Sequence, residues 1–173
     1  MIMYITGKYW ENYVGDTDDS LTLVEYLAEK QKTEIPLEEI FSDFGLEKLQ
    51  GNFRNPDVAL VYTDPEGWET PIYFAIDLIM DLAALLLECK INRSVELCEL
   101  SEADPDTVAL SEIRITATPE EYLLIGQVLA DFTSDPLAYD LSEMCTEEEM
   151  RETAAVCEAL RKELYERTRE QNT

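Results

Sequence analysis

A chain of 173 residues with 38 acidic and 13 basic side chains carries a formal charge of −25, and a surface of that sign repels nucleic acid and anionic lipid. The same chain is 46% hydrophobic, with nine Tyr, five Phe and two Trp. That is enough for a packed core, so disorder is the weaker reading. What stays open at this level is a cationic partner, a bound cation, or acidity that serves solubility alone.

In chain order, "MYITGKYW" (3–10) is β-branched and aromatic and predicts a strand. "DDSLTLVEYLAEK" places Leu21, Val24, Leu27 and Ala28 at helical spacing, with Asp18 or Asp19 as the natural N-cap. "IPLEEIFSDFGLEKL" predicts a helix that starts after Pro36, buries Leu37, Ile40, Phe41 and Phe44, and breaks at Gly45. "DVALVYTDPEGWETPIYFA" (57–75) predicts a hairpin turning at "DPEG". The apolar run "IDLIMDLAALLLECK" predicts a central buried helix whose polar residues Asp77, Asp81 and Glu88 form one narrow stripe. That stripe must meet water, a partner, or one of Arg54, Arg93 and Arg114 as internal counter-ion.

Further on, "SVELCEL" predicts a strand, "DPD" (104–106) a turn and "ALSEIRITAT" a second strand. "TPEE" carries the signature of a helix start: Thr118 caps, Pro119 takes the first turn and Glu121 closes a capping box. "TEEE" repeats it with Thr146 and Glu149, opening a last helix over about 147–168. There is no internal repeat and no linker. The whole, 1–173, predicts a single α+β domain, a largely antiparallel sheet packed against about five helices.

Targeting signals are missing. The opening residues lack the basic start, apolar run and cleavage site of a secretory signal. The longest apolar stretch, 76–87, is too short to span a bilayer. Cys89, Cys98, Cys145 and Cys157 form no C-x-x-C pair and indicate reduced thiols of a cytoplasmic protein.

The apparatus of most catalysis is missing too. The chain has no histidine, which removes the commonest general base and the commonest zinc ligand. No phosphate-binding glycine loop and no nucleophile elbow is present. Carboxylate-only chemistry remains open, but acids are so abundant that no pair stands out. "DTDDS" starts like a calcium loop but carries Leu21 where the turn glycine belongs and Leu27 where the closing glutamate belongs. No enzyme, no metal and no cofactor is therefore expected.

The remaining signal is the coincidence of aromatics with acids. Trp10 precedes Asp16, Asp18 and Asp19, and the hairpin tip brings Asp64, Glu66 and Trp68 together. Acids steer a cationic surface and a desolvated aromatic anchors it. These seven residues are the candidate partner-binding set. The bland alternative places Trp10 or Tyr13 in the core and folds Trp68 back onto its hairpin.

The stretch "YWENYVGDTDDSLTLVEYLAEK" (9–30), in a small acidic domain of this layout, resembles the immunity proteins of bacterial polymorphic-toxin and contact-dependent inhibition systems. The resemblance implies a stoichiometric inhibitor that binds a cognate toxin domain, often a basic nuclease, and blocks its active site or substrate groove. A second reading uses the same electrostatics: an acidic nucleic-acid mimic that inhibits a DNA-binding protein, of the anti-restriction or anti-CRISPR type. A third is an acidic domain whose role does not depend on its charge.

Overall fold

The computed structural model describes residues 3–56, 58–100 and 112–171, with side chains as far as Glu166. In chain order the elements are α1 (Asp18–Glu29), β1 (Glu34–Pro36), α2 (Leu37–Phe44), β2 (Leu60–Thr63), β3 (Glu69–Ile72), α3 (Ala75–Asn92), β4 (Val95–Glu96), α4 (Leu97–Leu100), β5 (Glu112–Thr116), α5 (Pro119–Ser134) and α6 (Glu147–Gln171). This is the single α+β domain that the alternation of patterns predicts.

Helix α3 is the axis. Every residue from Ala75 to Glu88 is buried, because α1, α5, α6 and β5 all pack against it. Strand β5 lies between β1 and β4, with Ile113 and Ile115 turned inward. It pairs in parallel with β1, Ile35 opposite Ile115, and antiparallel with β4, Val95 opposite Ile113. Strands β2 and β3 form a separate hairpin, Leu60 opposite Ile72 and Tyr62 opposite Thr70.

The local start and stop signals act as their chemistry dictates. Thr118 accepts the Glu121 N–H at 3.2 Å, and Glu121 accepts the Thr118 N–H at 2.8 Å. Thr146 and Glu149 make the same reciprocal pair at the head of α6. Gly45 ends α2 in the left-handed conformation, at φ +77°, where a side chain would be strained. At α1 the cap is not Asp18 or Asp19 but Thr17, which forms a capping box with Ser20.

Two other expectations give way. Residues 3–10 are not a strand: from 3 to 17 the chain is a succession of turns, with isolated bridges at Thr6, Trp10 and Val14. Ile5 O accepts three N–H groups, from Lys8, Tyr9 and Trp10. Glu88 and Asp81 of α3 hold Ile5 and Gly15, which are seven helical residues apart, or about 10 Å. Ten residues of strand would overshoot that span roughly threefold, so the chain must coil. Gly15 is needed for close approach: at φ +77°, a Cβ there would lie 2.2 Å from the Trp10 ring. "SVELCEL" also fails as one strand, since pairing stops after Glu96 and Leu97–Leu100 turn into α4. The "DPD" turn and the first residues of "ALSEIRITAT" lie outside the described residues.

Candidate functional site

The carboxylate stripe of α3 faces inward. Asp81 is fully enclosed: one oxygen accepts the Gly15 N–H at 2.9 Å, the other the Ser20 hydroxyl at 2.6 Å. Glu88 accepts the Ile5 N–H at 3.0 Å and the Asn92 side-chain amide. Asp19, on α1, accepts the Tyr73 and Phe74 N–H groups, both at 2.9 Å. It thereby serves the head of α3, whose own N-cap Phe74 offers no side-chain acceptor. Asp77, one turn from Asp81 on the same buried face, lies close enough to Asp19 to feel its charge.

None of the expected arginines meets this stripe. Arg54 instead grips Asp131 through two bonds of 2.8 and 2.6 Å. Buried carboxylates need donors rather than net positive charge, and here the donors are backbone N–H groups and a hydroxyl. Burial pushes the Asp81 pKa up to about 7, against the pull of its Ser20 and Gly15 hydrogen bonds. Burial first, then the charges of Asp19 and Asp81, push Asp77 up to about 9.

Tyrosines satisfy a second group of acids. Tyr4 and Tyr9 donate to Glu163 of α6, Tyr13 to Glu152, Tyr26 to Asp43, Tyr62 to Glu29 and Tyr139 to Asp131. Through the first three, the N-terminal coil clips α6 as well as α3. A minority of the 38 acids is thus engaged by neutral donors of the fold.

The hairpin is held from below. Tyr62 packs edge-on against Tyr26, with ring centroids 5.4 Å apart, and against Phe44 at 5.6 Å. Leu60 and Ile72 point the same way into the core. The opposite face is unpartnered: Val61, Pro71 and Tyr73 are exposed. At the tip, Asp64 accepts the Glu66 and Trp68 N–H groups, both at 2.9 Å, and fixes the turn. Trp68 stands 71% exposed beyond it; it does not fold back.

The seven sequence-derived site residues therefore divide. Trp10 is only 2% exposed and donates from its indole to Leu100 O at 3.1 Å; it is a core residue. Asp19 is buried, as above, and Asp64 is occupied by its turn. Asp16, Asp18, Glu66 and Trp68 face outward. Asp19 ties the head of α1 to the hairpin exit at Tyr73 and Phe74, so both acidic groups lie on the α1–hairpin side. The tip is four strand residues further, about 13 Å along β3. Sequence reasoning passed over Val61 and Tyr73, whose outward position follows from the same alternation that turned Leu60 and Tyr62 inward.

Among the described residues, no group of three or more His, Cys, Asp or Glu side chains is placed to hold a metal ion. No helix among them is long and apolar enough to cross a membrane. All four cysteines are free thiols.

No curated protein and no solved structure matches the chain. The sequence profile of one family, described as Immunity protein 68, matches residues 4–164. The match runs from the N-terminal coil through the hairpin and α3 to the last buried leucine of α6. The chain belongs to the Immunity protein 68 family.

Proposed function

We propose that the protein acts in the bacterial cytoplasm as a stoichiometric inhibitor of a cognate toxin domain, by binding and not by catalysis. The toxin is basic and nuclease-like, delivered by contact-dependent inhibition or a related polymorphic-toxin route. Family membership across nearly the whole chain supports the inhibitor reading. The choice of a basic target follows from the charge of −25, which accelerates encounter with a cationic surface.

The observation that carries the choice of face is Trp68. A large aromatic, 71% exposed on a turn fixed by Asp64, has its backbone ordered before any partner arrives. Preorganisation of this kind lowers the entropic cost of binding. Glu66, Glu69, Asp16 and Asp18 supply an acidic rim, and Val61 and Tyr73 an apolar floor. Trp10, Asp19 and Asp64 act indirectly, by holding that surface in place.

The test is Trp68→Ala. The side chain supports no core packing, so the variant should melt like the wild type. Its complex with the cognate toxin should dissociate faster, losing about 2 kcal/mol as expected of a central aromatic anchor. A folded variant with an unchanged dissociation rate places the interface elsewhere.

A further inference from the structure

The described bases of this acidic chain are mostly neutralised. Lys8, Lys30, Lys32, Arg54, Arg151 and Arg161 all close salt bridges with carboxylates. At the far end of α3, Arg93 and Arg114 close no ion pair among the described residues. Lys90 from the last turn of α3, Arg93 just after it, Arg114 from β5 and Tyr122 from α5 line one cavity of about 370 Å³. Cys89, Ile115, Thr116 and Ala117 also line it, and among the described residues no carboxylate does. We propose that this cavity is an oxyanion pocket that takes a small phosphate- or carboxylate-bearing ligand.

The helix end alone does not account for the cluster. Bases in the last turn of a helix are favoured by its dipole, which covers Lys90 and Arg93. Arg114 comes from a strand, and it lines the same cavity. Among the described residues, neither Arg93 nor Arg114 closes an ion pair. Glu34, the cross-strand neighbour of Arg114, does not reach it, and Glu112 takes a hydrogen bond from Ser94 instead. Lys90 Nζ sits 4.4 Å from the centre of the Tyr122 ring, a cation–π contact that holds the ammonium against one wall.

The chemistry suits an oxyanion. Guanidinium forks bind phosphate or carboxylate oxygens in pairs, and an ammonium adds a point charge. Burial, together with the charge of Arg114, lowers the Lys90 pKa, so an arriving anion relieves a repulsion already present. The volume lies within the range of small-molecule sites and exceeds what a single chloride ion fills. This site is independent of the toxin-binding face, and its test requires no toxin.

Isothermal titration of the full chain with sodium phosphate, and separately with acetate, decides it. Ionic strength is held constant with sodium chloride, because a chain of this charge responds to any salt. Saturable one-to-one binding of phosphate is expected, weakened about tenfold or more by Arg114→Gln, the loss of one charge-assisted contact. Lys48→Gln, an exposed base elsewhere, should leave affinity unchanged. Binding of phosphate alone identifies a phosphate ligand; binding of acetate, alone or as well, identifies a carboxylate site. If Arg114→Gln does not fold, Arg93→Asn replaces it, since asparagine tolerates the left-handed backbone at that position. The proposal is overturned if neither anion binds saturably, or if the folded pocket variant binds as tightly as the wild type.

Discussion

Asp81 and Glu66 are both carboxylates on one strongly acidic chain, yet they do opposite work. Asp81 lies fully enclosed and satisfies one N–H and one hydroxyl of the segment that leads into α1. Glu66 projects from a hairpin tip, with only its backbone N–H engaged, by Asp64. The difference shows that net charge measures repulsion poorly here. The buried carboxylates Asp19, Asp81 and Glu88 are bound to neutral donors, and several part-exposed ones to tyrosine hydroxyls. Those outside are free to set the long-range field. Acidity is therefore two properties, a structural one centred on α3 and an interaction property on the α1–hairpin side.

The strongest way to break this distinction is Asp81→Ala. It strands the Gly15 N–H, leaves the Ser20 hydroxyl with Thr17 alone, and opens a small cavity. One orphaned donor, one lost hydrogen bond and the cavity at this depth cost about 3 kcal/mol. Urea denaturation should show that loss, with the N-terminal coil the first segment to lose amide protection from hydrogen exchange. A loss under 1 kcal/mol would mean that the coil is held by Trp10 and Glu88 and that Asp81 is incidental.

The pH dependence sharpens the same point. Asp81 and Asp77 have pKa values raised to about 7 and about 9 in the folded state, against about 3.9 unfolded. A raised carboxyl pKa contributes stability that is complete below the unfolded value and is lost as pH climbs through the folded one. Asp131 runs the other way. Arg54 first, then Tyr139, hold it down to about 2, so its contribution is present above about pH 4 and is lost as pH falls toward 2. Thermal stability should therefore be greatest near pH 4 and decline from there to about pH 9. Asp81→Asn should start lower and flatten the decline between about pH 4 and pH 7, leaving the part carried by Asp77 up to about pH 9. An unchanged slope in that variant would assign the decline to general surface repulsion.

What the sequence disclosed follows the range of the forces involved. Helix starts at Thr118 and Thr146, the stop at Gly45 and the turn at "DPEG" depend on three or four neighbouring residues, and each is legible. Strand β1 is three residues long and exists only because β5, some eighty residues later, pairs with it; nothing local announces it. The cap at Thr17 is misplaced by local reasoning for a related reason. Asp19 is chemically the better cap, but Tyr73 and Phe74 have claimed it. The same limit applies to the candidate site. Trp10 and Trp68 have similar acidic neighbours, yet one is sealed by Gly15 and Leu100 and the other is exposed. The inward turn of the α3 stripe was hidden because its donors are backbone N–H groups, which carry no residue-type signature.

The smallest effect on stability, and the most informative for function, belongs to the exposed acids. Reversing Asp16 and Glu66 to Lys changes the formal charge from −25 to −21, two units for each site. Both side chains are exposed and neither makes a described side-chain bond. Their removal should change folding free energy by no more than about 0.5 kcal/mol, as for surface sites away from caps and networks. At low salt any change should be stabilising, because self-repulsion falls. Association with the cognate toxin should nevertheless slow several-fold at low salt, and that difference should shrink as salt is raised and screening shortens the field. Stopped-flow association across a salt series, beside urea melts of the same variant, measures both. A stability loss of 2 kcal/mol would show that these carboxylates are bound into the fold as Asp81 is. Equal association rates at every salt concentration would move the electrostatic face away from the head of α1 and the hairpin tip.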